Sequence, residues 1–296
     1  MDRFHTPVLL EEVVENLKIE KGKKYIDATL GGGGHTFEIL RHGGKILGID
    51  VDQEAIEYVE EKLKTQNSKL KTGKLTLARG NFADIDTIAQ KHGFEQVSGV
   101  LLDIGVSSHQ IDTPSRGFSF QADGPLDMRM DIRLGVKAAD LVNALTKGEL
   151  YELFSKLGEG RYARVISESI VSARAVKPIA TTVELVVIIE KAIPGRFTEI
   201  HKATKAFQAL RIAVNDELHS LEDALPKAVS LLESKGRLLV ITFHSLEDRI
   251  VKNSCKDFEK EGKGKIVTKK PIIPRDEEIE KNKRSRSAKL RVFEKL

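Results

Sequence analysis

Residues 25–35 read Tyr25-Ile-Asp-Ala-Thr-Leu-Gly-Gly-Gly-Gly-His35. An apolar run with one acid, followed by glycines and a helical pattern, is typical of the first strand, ligand loop and first helix of an open α/β sheet. The glycines lack a Cβ, so the chain can bend sharply and a ligand can approach the main chain. The stretch predicts a nucleotide-like ligand at the end of a buried strand, and a tight turn without a ligand is the alternative.

The loop differs from two common nucleotide-binding fingerprints. A dinucleotide-binding loop has glycine at the sixth position, where this chain has Thr36. A P-loop continues with Lys and then Ser or Thr, and neither follows here. A nicotinamide-dependent oxidoreductase is therefore disfavoured. It stays an alternative, and calorimetric titration with each candidate cofactor would show which one the protein binds.

Three more strand patterns follow the glycine loop. Apolar runs at 45–52, 75–82 and 97–106 alternate with helical patterns at 53–66 and 83–92. This βαβαβαβ succession predicts a parallel sheet whose ligand lies across the carboxyl ends of the strands. The fold class is therefore α/β.

Three of these strands end in an acid, namely Asp27, Asp50 and Asp103. Asp50 follows Asp27 by 23 residues, close to the roughly 20-residue interval at which an acid meets a ribose diol. Carboxylates repel phosphates but suit a ribose, an adenine and a positive charge, so we expect S-adenosylmethionine. Phe82, after the third strand, is a candidate adenine contact. The alternatives are turn acids, a helix-capping role for Asp50 such as we expect for Asp52, and a core position for Phe82.

The periodicity breaks over residues 107–135. A loop of this length that contains Phe, Met and Arg is more typical of a functional segment than of a disordered one. Phe118 and Phe120 offer stacking surfaces, and Arg116 and Arg129 offer cations close to them in sequence. This combination suits an unstacked base and its phosphates.

Residues 137–192 are helical in pattern, and two Thr-x-x-Glu sequences within them predict capping boxes. Arg161 and Arg164 interrupt the helices and are candidate phosphate contacts. We predict that 107–201 form an inserted loop and helical substrate-recognition domain. The sheet domain then comprises 1–106 and 202–296.

The sheet domain resumes after the insertion. Residues 201–218 are an amphipathic helix, a second helix extends to Ser234, and 236–245 read as a fifth strand. His244 and Arg249 follow that strand, on the edge that carries the glycine loop. No nucleophile candidate lies near His244, and His and Cys residues are not spaced for a metal, so we predict a positioning role and no metal site.

Composition places the chain among globular proteins with a large core. The chain has 296 residues, of which 40% are hydrophobic and 31% charged. The single Cys255 indicates a reducing compartment and is expected to be an incidental surface thiol. The chain begins without a signal-peptide pattern and contains no apolar run of the ~20 residues that a membrane span needs. We therefore expect a cytoplasmic protein that does not bind membranes.

Positive charge is concentrated near the C-terminus. Residues 256–296 contain 14 Lys and Arg against 8 Asp and Glu, although the whole chain carries only +4. Such a segment predicts contact with a polyanion, and a solvated, partly mobile tail is the alternative. Residues 288–293 are a candidate last strand.

Several long motifs resemble those of one known family, the bacterial 16S ribosomal RNA (cytosine-N4)-methyltransferases (RsmH/MraW). The resemblance extends over nearly the whole chain, including the terminal Arg-Ser-Ala-Lys-Leu-Arg. The matching motifs are His5-Thr-Pro-Val-Leu-Leu-Glu-Glu-Val, Asp27-Ala-Thr-Leu-Gly-Gly-Gly-Gly-His35, Leu102-Asp-Ile-Gly-Val-Ser-Ser-His-Gln-Ile-Asp112, Arg116-Gly-Phe-Ser-Phe, Gly124-Pro-Leu-Asp-Met-Arg-Met-Asp131, Phe207-Gln-Ala-Leu-Arg-Ile and Phe243-His-Ser-Leu-Glu-Asp-Arg249.

The resemblance implies a Rossmann-like class I methyltransferase sheet with an inserted all-helical domain. It implies transfer of a methyl group from S-adenosylmethionine to the exocyclic N4 amine of a decoding-region cytosine in 16S ribosomal RNA, within the small ribosomal subunit. His201-Lys-Ala-Thr-Lys departs from the family's usual His-Pro-Ala-Thr-Arg, which bears on how the following helix begins. Carried over by position, the implied cofactor residues are Gly33, Gly34, His35, Asp50, Phe82, Asp103 and Gln110.

Asp103 is the predicted catalytic residue. Many amino-methylating enzymes have Asp/Asn-Pro-Pro-Tyr after the fourth strand, where this chain has Asp103-Ile-Gly-Val106. We predict that Asp103 accepts a hydrogen bond from the cytosine amine or the cofactor, and that Phe118 or Phe120 supplies the stacking surface. The further predicted RNA contacts are Arg116, His244 and Arg249. A methyltransferase of another nucleic acid and a non-catalytic RNA-binding module are the remaining alternatives.

Overall fold

The computed structural model describes residues 7–65, 75–158, 160–193, 195 and 201–296. The chain divides into two compact units. The first comprises Met1–Ser107 and Leu218–Leu296, and the second comprises Ser108–Glu217. Among the described residues, no helix is both long enough and apolar enough to cross a membrane.

A seven-stranded sheet forms the centre of the first unit. Its strands are β1 (Lys24–Asp27), β2 (Lys45–Asp50), β3 (Leu75–Arg79), β4 (Val97–Asp103), β5 (Leu232–Thr242), β6 (Gly264–Ile266) and β7 (Lys289–Lys295). Their order in space is β3-β2-β1-β4-β5-β7-β6. The first five are parallel, and β7 runs antiparallel to both β5 and β6. The predicted α/β class and parallel sheet are confirmed.

The helices of the described ranges are numbered along the chain. They are α1 (Leu10–Leu17), α2 (Gly34–Arg41), α3 (Gln53–Thr65), α4 (Ile85–Lys91), α5 (Ser108–Asp112), α6 (Ala138–Ala144), α7 (Lys147–Leu157), α8 (Ala163–Arg174), α9 (Thr182–Ala192), α10 (Thr204–Asn215), α11 (Glu217–Leu231), α12 (Ser245–Lys260) and α13 (Asp276–Lys281).

Each face of the sheet packs into its own apolar cluster. Alternate strand residues point to opposite faces, so Ile26 joins a cluster with Leu225 of α11, whereas Tyr25 joins one with Leu17 of α1 and Phe37 of α2. Because both faces are covered, the parallel strands are almost continuously apolar. This burial fixes the carboxyl ends of the strands, where the candidate site lies.

The second unit is helical and has a separate core. Leu150 of α7, Ile170 of α8, Leu185 of α9 and Leu210 of α10 are fully buried in it. Because α10 packs into this core, the second boundary lies after Glu217 rather than at the predicted 201/202.

Both predicted capping boxes of the second unit are present. Thr146 Oγ1 accepts a hydrogen bond from Glu149 N at 3.3 Å, and the Glu149 carboxylate accepts one from Thr146 N at 2.7 Å. Thr181 and Glu184 form the same pair of bonds at the start of α9. Each box satisfies main-chain donors that a helix start leaves unpaired.

The basic C-terminal segment is folded in the structure. Residues 289–295 form β7, inserted between β5 and the short β6, and Val292 and Phe293 are buried. The alternative of a mobile tail is therefore wrong for these strands. Cys255 is also buried rather than on the surface, and burial raises the pKa of its thiol to about 11.

Candidate functional site

Three acids meet at one edge of the sheet. The strands β2, β1 and β4 are neighbours and run parallel, and they end at Asp50, Asp27 and Asp103. The sequence predicts these three strand ends, and the register places them at the same edge, with Asp27 opposite Gly48 and Leu101. An edge of this kind is where open α/β sheets bind ligands.

The glycine loop between β1 and α2 needs glycine for two reasons. Gly31 and Gly33 have positive φ angles of 49° and 73°, a conformation that strains other residues. A Cβ on Gly33 would also lie 2.8 Å from the Phe37 ring, and one on Gly34 would lie 2.8 Å from Pro7. Gly34 therefore allows the segment before α1 to pack on the start of α2.

Asp50 joins the glycine loop to β2. Its carboxylate accepts hydrogen bonds from Gly31 N at 2.8 Å and from Asp52 N at 2.9 Å. Removal from water outweighs these bonds and raises the Asp50 pKa to about 6. Asp52, by contrast, accepts from Glu54 N at 3.1 Å at the start of α3, which confirms its predicted capping role. The capping alternative for Asp50 is therefore not favoured.

Asp27 is buried, and its carboxylate accepts hydrogen bonds from residues on both sides of the glycine loop. It accepts a hydrogen bond from Thr36 Oγ1 at 2.7 Å and one from Thr29 N at 3.3 Å. Burial raises the pKa of its carboxyl group. Thr36 departs from the dinucleotide fingerprint, and the structure shows what it does instead: its hydroxyl satisfies a buried acid. Sequence reasoning did not anticipate this contact.

Asp103 lies beside His35. The distance from His35 Nδ1 to Asp103 Oδ2 is 3.8 Å, and both side chains are almost fully buried. His35 Nε2 lies 3.0 Å from the Val8 carbonyl oxygen. Because a carbonyl can only accept, Nε2 carries the ring proton in the neutral form. Asp103 N in turn donates to Thr29 Oγ1 at 2.6 Å, so β1 and β4 together position this acid.

Phe82 follows β3 in a short 3-10 turn. Asn81 Oδ1 caps that turn by accepting from Ala83 N at 2.9 Å. Phe82 is half-buried and packs against the core. Its position agrees with both the adenine-contact prediction and the core alternative.

A different aromatic ring lies next to the end of β4. Gly105 has a φ of 127°, and a Cβ there would lie 3.5 Å from the Phe243 ring. Phe243 is the last residue before the capping box of α12. The sequence motif Phe243-His-Ser predicted a role for His244 but none for Phe243.

His244 caps α12. Its Nδ1 accepts from Glu247 N at 3.4 Å, and the buried Glu247 carboxylate accepts from Phe243 N at 2.8 Å and His244 N at 3.2 Å. The ring is almost fully buried. These contacts support the predicted positioning role and do not favour an RNA contact. Arg249, one turn further along, is exposed.

The remaining predicted site residues belong to the second unit. Gln110 is buried in α5. Arg116, a predicted RNA contact, is also buried, and its guanidinium donates to the carbonyl oxygens of Arg129 at 3.2 Å and Met130 at 3.0 Å. Arg129 is in turn held by Asp127 at 2.7 Å. Both guanidinium groups therefore hold the loop together, and the RNA contact of Arg116 stays a prediction.

The two predicted stacking rings also pack within the second unit. The centroid of the Phe120 ring lies 4.6 Å from that of His201 and 5.0 Å from that of Phe207. Phe118 is half-buried against the same core. Both rings are partly buried, because they pack against the helical core of the second unit.

Arg161 and Arg164 do line a cavity of the second unit. The cavity has a volume of about 500 Å³ and also includes Lys147 and Tyr151. Tyr151 is 48% exposed. Glu168 lies 3.6 Å from Lys147 and 3.9 Å from Arg164 and offsets part of the positive charge. The predicted phosphate contacts are therefore accessible and accompanied by an aromatic ring.

The polar groups at this edge of the sheet suit a nucleoside cofactor without phosphates. Asp50 offers a carboxylate to hydroxyl groups, and the glycine loop offers main chain without side chains in the way. Three carboxylates disfavour a pyrophosphate by charge repulsion. The edge therefore fits the group that the sequence predicts.

Comparison with known proteins identifies relatives over the full length. The model of the MraW methylase family matches residues 2–296. The Ribosomal RNA small subunit methyltransferase H of Carboxydothermus hydrogenoformans is 46% identical, with 100% of this chain and 99% of that protein covered. That of Clostridioides difficile is 45% identical, with 100% of both covered. A solved rRNA methylase from Streptococcus thermophilus aligns with a TM-score of 0.45 and 12% identity, covering 97% of this chain and 93% of that chain.

Proposed function

The chain belongs to the MraW methylase family, and from this premise we propose that it methylates the exocyclic N4 amine of a decoding-region cytosine in 16S ribosomal RNA. The methyl donor is S-adenosylmethionine. Relatives of 45% and 46% identity, matched from end to end, are named for methylation of small-subunit ribosomal RNA. The observation in this structure that carries the proposal is the edge where Asp27, Asp50 and Asp103 surround a glycine loop.

The sheet edge supplies the residues that would hold the cofactor. When bound, S-adenosylmethionine supplies a methyl group that its sulfonium charge has already activated. Asp50 would accept from the ribose hydroxyls, Phe82 would lie against the adenine, and the main chain at Gly33 and Gly34 would line the remainder of the site. The other proposed cofactor residues are His35, Asp103 and Gln110.

Placement of the amine is the main task of the protein residues. We assign Asp103 to accept a hydrogen bond from the target amine, which fixes the direction in which the nitrogen lone pair points. The Thr29 hydroxyl, which accepts a hydrogen bond from Asp103 N at 2.6 Å, positions this residue beside the buried His35 ring. A paired cytosine is inaccessible, so the base must leave its helix before it enters the site.

The proposed substrate is 16S ribosomal RNA within the small ribosomal subunit, which places the protein in the cytoplasm. No protein-bound metal takes part in the proposed reaction, since the methyl group needs no further activation. The test is nucleoside mass spectrometry on unmodified small subunits after incubation with isotopically labelled cofactor. Labelled N4-methylcytidine is expected. A label on another base, or in another nucleic acid, would contradict the substrate assignment.

Cofactor affinity should depend on pH through Asp50. Its pKa of about 6 in the free protein means that the carboxylate is ionised at pH 7 and largely protonated at pH 5. Because only the ionised form accepts from both ribose hydroxyls, the Kd for S-adenosylhomocysteine should rise about tenfold as the pH falls from 7 to 5. Calorimetric titration measures this, and in Asp50→Asn the pH dependence should disappear. An unchanged slope in that variant would place the titrating group elsewhere.

Arg161 should contribute to RNA affinity through phosphate. Arg161→Ala removes one cation from the cavity of the second unit, so we expect RNA affinity to fall severalfold and the slope of log K against log salt to lose about 0.7–0.9. Filter binding between 50 and 200 mM salt measures both quantities. Lys191→Ala, an equal charge change on α9 outside the cavity, should leave them unaltered. Equal effects of the two variants would exclude a specific phosphate contact.

A further inference from the structure

A cavity of about 330 Å³ lies beside the end of β5, and all its lining residues belong to the first unit. It brings the residues that follow β5 next to the basic C-terminal segment, which the proposed function has not used. Pockets for single small ligands begin at roughly 300 Å³. The residues that give the cavity its character are Phe243, Ser245, Ile273, Arg286, Ser287 and Lys289.

The charged part of this lining is cationic. Arg286 is exposed and, within the described part of the chain, is in no salt bridge. Lys289 Nζ lies 3.6 Å from Asp248 Oδ2 and is 40% exposed, so only part of its charge is offset. None of the described lining residues is acidic. The cavity thus offers a guanidinium, an ammonium and hydroxyl groups to an anion.

The apolar part of the lining consists of flat or accessible surfaces. Ile273 is 62% exposed, so it offers an accessible aliphatic surface to a ligand. Phe243 is half-buried, and its ring borders Gly105, two residues after Asp103. The Phe243 ring is therefore shared between the cavity and the segment that follows Asp103.

We propose that this cavity binds a nucleotide of the substrate RNA next to the target cytosine in the strand. The base lies against Phe243 and Ile273, and Arg286 and Lys289 hold the phosphate. Stacking and cation contacts of this kind are how proteins bind unpaired nucleotides. The assignment rests on the proposed function, because an extruded target base draws its neighbours to the same edge of the sheet.

The test uses Arg286→Ala and the matched control Lys283→Ala, which removes a cation three residues away outside the cavity. With unmodified small subunits as the probe, Arg286→Ala should raise the Kd about tenfold and lower the salt slope by about 0.7–0.9, whereas Lys283→Ala should change neither. The KM for subunits should rise in parallel. The Kd for S-adenosylhomocysteine should stay the same in both variants.

A second variant keeps the proposal testable if Arg286→Ala does not fold. Ile273→Asp places an acid in the cavity at an exposed position, where folding tolerates it, and should weaken subunit binding at least as much. If both variants bind subunits as the control does, the proposal is overturned. If the wild type binds subunits through Arg286 and Ile273 but transfers no methyl group, the nucleotide site stands and the proposed function fails.

Discussion

Asp103→Ala should lower the single-turnover rate of RNA methylation about 10³-fold at saturating cofactor. The carboxylate is almost fully buried at the end of β4, beside His35. A preorganised hydrogen-bond partner of the reacting group is worth about 3–4 kcal/mol. Asp103→Asn, which keeps an acceptor oxygen but loses the charge, should lose less, about 10–10²-fold. Quenched-flow analysis of labelled subunits measures these rates.

The control for Asp103 is an acid outside the site. Asp257 lies on α12 and pairs with Lys260 at 3.2 Å on the surface, so Asp257→Asn should methylate as the wild type does. Asp103 is proposed both to contact the cofactor and to hold the target amine. Calorimetry with S-adenosylhomocysteine measures the cofactor contact separately from the methylation rate. A rate within threefold of wild type in Asp103→Ala would exclude Asp103 from catalysis.

Asp50→Ala should raise the Kd for S-adenosylmethionine about 10²-fold. The variant loses two hydrogen bonds from ribose hydroxyls to a charged acceptor, each worth about 1.5 kcal/mol. Asp52→Asn is the matched control, because Asp52 caps α3 and Asn caps a helix equally well. Its Kd should stay within threefold of wild type.

The Asp50 variants also test what kind of protein this is. Asp50→Ala also removes the acceptor of Gly31 N, so thermal unfolding should be recorded beside the titration. Methylation of subunits should fall with cofactor affinity at limiting cofactor. If methylation-independent RNA binding were the whole activity, Asp50→Ala would leave every measured activity unchanged.

The sheet was predictable because its signal is local. The central parallel strands are buried on both faces, so runs such as 46–49 and 99–102 are apolar throughout and stand out from the amphipathic helices between them. The β6 strand was not predictable, since three residues, Gly264–Ile266, give no periodicity. The helix α10 was assigned to the sheet domain because its amphipathic pattern does not say which core its apolar face joins.

The site was predictable where chain geometry alone places a residue. Parallel strands end at the same edge of a sheet, so Asp50 and Asp103 meet there independently of their side-chain contacts. The loop residues were not predictable in this way, because Arg116 and Phe120 look the same in sequence whether they face RNA or their own fold. In the structure Arg116 donates to main-chain carbonyls and Phe120 stacks on His201. Phe243 emerged only from its contact with Gly105.

The most direct test of the central claim is a crystal structure of the protein with S-adenosylmethionine. We expect the ribose hydroxyls at Asp50, the adenine against Phe82, and the methyl group directed toward Asp103. An empty edge at saturating cofactor, or a pyrophosphate bound there in its place, would contradict the account.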